Sequence, residues 1–269
     1  MAYNSAFNLE SLVTPIKAAT VYSAHETSLF LGGNMIPAVA VPAGHASLQV
    51  PLLGSTVATK ISAEGVTEDV PSTAVTDTKV SIPVDIYAAR TVLRDLGGID
   101  PQEVGRTLGN AVSAKFDADA IAALEDALIT NAVDTGGTVT LNFIFDAVKL
   151  IRDSGETGQL MAVVDPAMAT NLMKNIGTQA YAGGAFQDTA MANGFVGQIA
   201  GVNMFMSSYM TANSGTVFSA DAFRMGIQRN IELEVSRRAE AVGNDLVANL
   251  HAGVGLVDAA RACRLYDVA

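Results

Sequence analysis

The sequence predicts an α+β fold, with helices and strands grouped into separate regions. Three observations predict it. A long capped helix is legible from Asp100 to Ile129, and strands of clean alternation lie before and after it, near 80–87 and 231–237. Between the helix and the later strands, residues 130–225 have the texture of a small α/β unit.

Residues 1–40 read as an arm. They hold short apolar clusters, including Phe7, Leu9, Leu12, Phe30 and Leu31, and one short helix from Asn8 to Thr20 interrupted at Pro15. Such an arm has apolar side chains and little of its own in which to bury them. From Thr27 to Thr59 the only ionisable residue is His45, yet Pro37, Pro42, Pro51 and four glycines break the run, so it does not read as a membrane span. Residues 46–87 read as a long, weakly apolar hairpin. Val80, Ile82, Val84 and Ile86 alternate with Ser81, Pro83, Asp85 and Tyr87, and Thr59 to Asp69 supplies a strand with a polar tip. Pro83 confines its strand to an edge or a bulge.

The helix starts with Asp100 as N-cap, Pro101 at the first position and Glu103 as the second half of a capping box. Val104, Leu108, Val112, Phe116, Ala120, Leu124 and Leu128 recur every four residues, with Ala111 and Ile121 broadening the stripe. Gly105 and Gly109 would permit close packing against this helix. A short strand at 138–141, a helix at 142–153 and a buried strand at 160–164 follow. Asp165 and Pro166 open a helix that stops near Gly177. A stretch rich in Gly, Ala and Asn comes next, then strands at 202–206, 216–219, 231–237, 245–257 and 262–268.

Composition excludes several classes of function. The chain has 269 residues, of which 16% are charged and 49% hydrophobic. A typical soluble domain is about 25% charged. A folded monomer of 27.8 kDa would expose about 11,000 Å². Shared among 16 basic and 27 acidic side chains, this gives one charge per about 260 Å², against roughly 165 Å² for typical composition. A surface so thin in charge is expected to be partly covered by protein. The hydrophobicity excludes intrinsic disorder, and a single cysteine, Cys263, excludes a disulfide scaffold. A net charge of -11 argues against a solitary nucleic-acid binder.

No phosphate-binding, dinucleotide-binding, nucleophile-elbow or metal-binding motif occurs. The histidines His25, His45 and His251 are scattered, and Cys263 reads as a buried inert thiol. Asp117 with Asp119, and Glu125 with Asp126, read as a solvated helix rim. Arg237 and Arg238 are expected to pair with acidic neighbours. No catalytic, cofactor-binding or metal site is expected.

The order of elements, with the strand pair at 194–205, the alternating run at 231–237, the strand at 246–257, the long helix and the extended hairpin, resembles the major capsid proteins of tailed bacteriophages (the Hong Kong 97-like fold). The resemblance implies an N-terminal arm at 1–40 and an extended loop at 41–80. It implies a peripheral domain at 81–130 and 228–257, with its spine helix at 101–129, and an axial domain at 131–227 and 258–269. It implies a non-enzymatic virion protein, assembled in the bacterial cytoplasm into hexamers and pentamers of an icosahedral shell around double-stranded DNA, with no sequence-specific DNA binding and no membrane. A portal protein, a separate scaffolding protein and a decoration or cement protein are the other implied partners. Phe7, Leu12 and Phe30 of the arm would clasp neighbours. Lys60, Glu64 and Asp69 of the extended loop would lap over an adjacent subunit, and Tyr181, Phe186 and Asn193 would lie near the capsomer axis. Lys60 and Lys79 lie where some members cross-link.

Two alternatives stand beside this. One is an encapsulin-like compartment shell holding cargo enzyme rather than DNA. The other is a small α/β enzyme using an Asp and one of the histidines, with one to four subunits. A compact monomer at high concentration, its first forty residues folded back on its own body, would contradict the shell reading.

Overall fold

The computed structural model describes residues 9–32, 35–53, 77–94, 101–134, 136, 139–178 and 198–267. Four helices are described: α1 (Leu9–Thr27), α2 (Pro101–Leu124), α3 (Leu141–Asp153) and α4 (Pro166–Thr178). The strands before α2 are β1 (Ala38–Ala40), β2 (Ser47–Leu53), β3 (Asp77–Pro83) and β4 (Asp85–Arg94). Those after it are β5 (Ala132–Asp134), β6 (Leu160–Val164), β7 (Gln198–Ile199), β8 (Val202–Met206), β9 (Ser214–Ser219), β10 (Phe223–Arg238), β11 (Gly243–Leu256) and β12 (Ala262–Tyr266). They form a four-stranded sheet in the order β1-β10-β11-β4, a six-stranded sheet in the order β5-β12-β9-β6-β8-β7, and a separate two-stranded hairpin, β2-β3.

The six-stranded sheet is covered on both faces. Leu160, Ala162 and Val164 of β6 pack with Ile144, Ala147 and Ile151 of α3 and with Met168 and Leu172 of α4. Met161 and Val163 point the other way, into the cluster that contains Leu124 and Ile129. This two-sided burial is why β6 is apolar at every position. The four-stranded sheet is covered on one face, where Leu250, Ala252, Met225 and Tyr87 join Phe116 and Val112 of α2. Tyr87 meets Phe116 edge to face, with centroids 5.5 Å apart. The chain passes from the six-stranded to the four-stranded sheet between Ser219 and Phe223, so the strand continuing to Arg238 begins before the expected boundary at 227/228.

Several expectations are corrected. The arm is not free of its own body. α1 runs unbroken through Pro15 and lies along α2. A Cβ on Gly105 would sit 2.6 Å from Ile16 O and 3.0 Å from Ala19 Cβ, and one on Gly109 would fall inside contact distance of Thr20 O. The two glycines let the backbones meet. A polar seam then runs along the contact. Ser23 donates to Asn110, Thr27 Oγ1 lies 2.9 Å from Ser113 Oγ, and Ser28 Oγ donates to Asp117 Oδ1 at 2.6 Å. Tertiary contact outweighs the one backbone donor that Pro15 removes. Phe30, Met35 and Ile36 follow into the main core. The described part of the first forty residues therefore folds back on its own chain, which meets one half of the contradicting condition set above.

α2 stops at Leu124, not Ile129, because its last carbonyls and the following amides find other partners. Thr216 Oγ1 donates to Leu124 O at 2.9 Å, and Asp126 accepts from the amides of Leu128 and Ile129. Leu128 is left 69% exposed, and Ala111 also faces solvent. Leu108, Val112, Phe116, Ala120 and Leu124 of the stripe are all buried, so the stripe holds to the packed face until the helix ends. The strand expected at 138–141 lies instead at Ala132–Asp134, since Thr140 is the N-cap residue of α3. The alternation from Val80 to Ile86 spans two sheets. Pro83 ends β3, β4 begins at Asp85, and Ile86 is 67% exposed.

Candidate assembly surface

Among the described residues, few side chains hold the β2-β3 hairpin to the rest of its chain. Ser47 lies opposite Pro83 and Leu53 opposite Asp77, and neither strand joins a ladder of the larger sheets. A two-stranded hairpin is marginal alone. It is held by a small apolar cluster of Val41, Leu48 and Ile82, flanked by Val50, Val80, Val84 and Val257. Its base lies on the face of the four-stranded sheet opposite α2. Met225 and Ala252 point to the core, and Gly226 and Gly253, next to them in sequence and opposite each other in register, face outward.

Three outward glycines receive the hairpin. A Cβ on Gly253 would fall inside contact distance of the Pro83 carbonyl oxygen and 3.3 Å from Val84 Cα. One on Gly255 would meet Ile82 Cγ1 at 2.8 Å, and one on Gly226 would meet Val41 Cγ2 at 3.1 Å and Leu48 Cβ at 3.2 Å. These residues escaped the sequence reading. The available signal was two glycines, spaced by two, inside an apolar strand, which marks close approach of another backbone.

The rest of that face is mixed in character, with Ile86 exposed and Asp245 and Asn249 buried. Ile86, Ala88, Arg90 and Val92 of β4 face outward beside His251, Asn249, Val247 and Asp245 of β11. Arg90 Nε donates to both oxygens of Asp245, at 2.8 and 2.9 Å. This bond holds the Asp245 carboxyl below its ordinary range and raises Arg90. Arg229 lies 3.5 Å from Glu234, which accepts from Asn249 Nδ2 at 3.1 Å. Elsewhere Tyr22 on α1, Phe145 on α3 and Val242 at the β10–β11 turn expose large apolar side chains. Arg238 lies 3.8 Å from Glu240.

Of the nine expected contact residues, Phe7, Lys60, Glu64, Asp69, Tyr181, Phe186 and Asn193 lie outside the described residues. Leu12 lies in α1. Phe30 is corrected: its side chain is wholly buried in the core of its own chain and has no surface to offer a neighbour.

The solvated acidic rim is corrected too. Asp117 is buried, accepts from Ser28 Oγ and from Leu29 N at 3.0 Å, and so fixes the turn that ends α1. Burial raises its carboxyl above the ordinary range, and these hydrogen bonds pull against that rise. Glu125 accepts from Thr211 N, Thr211 Oγ1 and Ser214 Oγ, at 2.9, 2.9 and 2.7 Å, which fastens the end of α2 to the six-stranded sheet.

Chemistry is sparse. His25 ends α1, His45 precedes β2 and His251 lies within β11, with its Nδ1 3.3 Å from Gln228 Oε1. Cys263 is buried, and burial pushes its thiol up to about 12. Among the described residues no cluster of His, Cys, Asp or Glu could hold a metal ion. A cavity of about 310 Å³ is lined by Glu125, Ser214, Arg264 and Asp267 among others. The Glu125 carboxylate there is spent on the 211–214 turn, and no His or Cys lines it. No described helix is long and apolar enough to cross a membrane.

No protein-family model and no curated protein matches this sequence. Solved structures match its fold. The capsid of Cyanophage P-SCSP1u aligns with a TM-score of 0.71 at 16% identity, over 88% of each chain. The chain has the Hong Kong 97-like capsid fold. The head of Helicobacter pylori bacteriophage KHP40 aligns at 0.67 and 11% identity, over 87% of this chain and 86% of that one. A virus-like particle from Pyrococcus furiosus aligns at 0.67 and 9% identity, over 94% and 98%.

Proposed function

We propose that this chain is a major capsid protein that builds the icosahedral shell of a tailed bacteriophage and performs no catalysis. One observation carries the reading. The fold match to phage capsid proteins is reciprocal, spanning 88% of this chain and 88% of the P-SCSP1u capsid chain. Little is left over to house another activity. A hairpin anchored by so few side chains is consistent with an element that completes its burial against a second copy. The shell would enclose double-stranded DNA, and an acidic wall avoids gripping DNA of the same sign. Portal, scaffolding and decoration proteins belong to this proposal, as do hexamers and pentamers and the virion location.

The Pyrococcus match supports a second reading, an encapsulin-like compartment shell. Particles from the native source separate the two. Nuclease-resistant double-stranded DNA inside the particle is the expected result. Co-purified cargo protein without DNA would select the compartment, and light scattering that finds only one to four subunits would reject both.

A further inference from the structure

We propose that Gly253, seconded by Gly255, is an assembly-positioning site: bare backbone on the outer face of the four-stranded sheet sets the height and direction at which the β2-β3 hairpin leaves the body. The inference rests on the shell reading above and adds to it the residues that fix the hairpin.

Among the described residues, the hairpin meets its own subunit at few places. The Pro83 carbonyl lies directly over Gly253, and Ile82 lies over Gly255. Val84 N donates to Ala46 O at 3.0 Å, closing the base. Pro83 is also the hinge of the chain, because β3 ends on it and β4 begins two residues later in the other sheet. The direction of the hairpin is therefore read off the surface beneath Pro83 and Ile82. No side chain intervenes there, since Gly226 and Gly253 are paired across the strands and Gly255 follows on the same face.

The lever carries small changes outward. A methyl at 253 requires the base to rise by about 1 Å or more, since unbonded heavy atoms settle near 3.5 Å. Asp77 lies six residues from Pro83, about 20 Å along an extended strand. A tilt imposed at the base is carried along that length, so a rise of about 1 Å moves the far end by at least as much. The strain falls on the Pro83–Val84 link and the Val41–Leu48–Ile82 cluster of the outer face, and the main core on the opposite face keeps its packing. An interface packed to native density does not absorb such a shift. A side chain at 253 thus alters how copies meet while leaving each copy folded.

The experiment compares Gly253→Ala, Gly255→Ala and, as an overpacked control remote from the hairpin, Gly109→Ala. Folding is read by circular dichroism and cooperative melting, and assembly by electron microscopy and sedimentation. The wild-type chain, produced together with the assembly proteins of its native source, must form closed shells; if it does not, the shell reading fails and this inference is withdrawn with it. Given wild-type shells, Gly253→Ala is expected to fold, melting lower than wild type as Gly109→Ala does, while its yield of closed shells of wild-type diameter falls at least tenfold. Folded Gly109→Ala is expected to melt lower yet give shells of normal size. Wild-type yield and diameter for folded Gly253→Ala overturns the proposal. Should Gly253→Ala fail to fold, Gly255→Ala decides. The three atoms nearest its Cβ all belong to the Ile82 side chain, and normal shells from that folded variant overturn the proposal equally, whereas misshapen or open shells uphold it.

Discussion

Replacing Gly109 by alanine gives opposite signs for a docked and a free α1. On an isolated helix the change is favourable, because alanine exceeds glycine in helix propensity by about 1 kcal/mol. In the fold described, the new Cβ falls inside contact distance of Thr20 O and 3.2 Å from Ala24 N. Both are backbone atoms of α1, so no rotamer change relieves the clash, and the helices must part by about 1 Å. Overpacking of this kind costs about 1–3 kcal/mol, and parting also strains the Ser23–Asn110 and Thr27–Ser113 contacts. Set against the propensity gain, overpacking leaves a loss of about 0–2 kcal/mol, and the two strained contacts bring the net expectation to about 1–2 kcal/mol. For a chain of this size that lowers Tm by roughly 2–6 °C. The assay is thermal unfolding of dissociated subunits, since assembly would raise the apparent Tm of every variant. An unchanged or higher Tm would refute the docking of α1 on α2.

Three further outcomes follow from the same structure. Phe30→Ala is expected to destabilise the subunit itself by about 3–5 kcal/mol, the cost of truncating a buried phenylalanine; a denaturant titration near wild type would return Phe30 to the surface. Tyr87 is pushed from 10.0 to about 12, by burial first and then by Asp119 and Asp85. Its contribution is therefore present in full below pH 10 and is lost as pH rises toward 12. Tyr87→Phe should flatten the stability profile across that window, and an unaltered slope would contradict the assignment. Cys263 should resist a thiol reagent in the native subunit and react once urea unfolds it; fast native labelling would contradict its burial.

The sequence carried the elements whose cause is local. β6 was legible because two-sided burial makes every residue apolar, and β8 and α3 were found within a residue or so. The end of α2 was not legible, since it depends on Thr216 and Asp126 taking over the backbone hydrogen bonds that a longer helix would make. The arm was misread for a related reason. Its apolar residues suggested a foreign partner, but the described part of α1 packs on α2, met through Gly105 and Gly109. That glycine pair was visible, yet spacing alone does not name the opposing helix. With α1 and Phe30 satisfied at home, the case for self-association no longer rests on the arm. It rests on the fold and on the thinly held hairpin. The glycines beneath that hairpin were overlooked because a strand glycine shows its purpose only when the crossing chain is in place.

The most direct measurement is a cryo-electron microscopy reconstruction of the purified chain under assembly conditions. The account predicts a closed icosahedral particle in which the hairpin continuing beyond Leu53 and Asp77 lies against a neighbouring copy. A species of one to four subunits, or a hairpin resting wholly on its own chain, would contradict it.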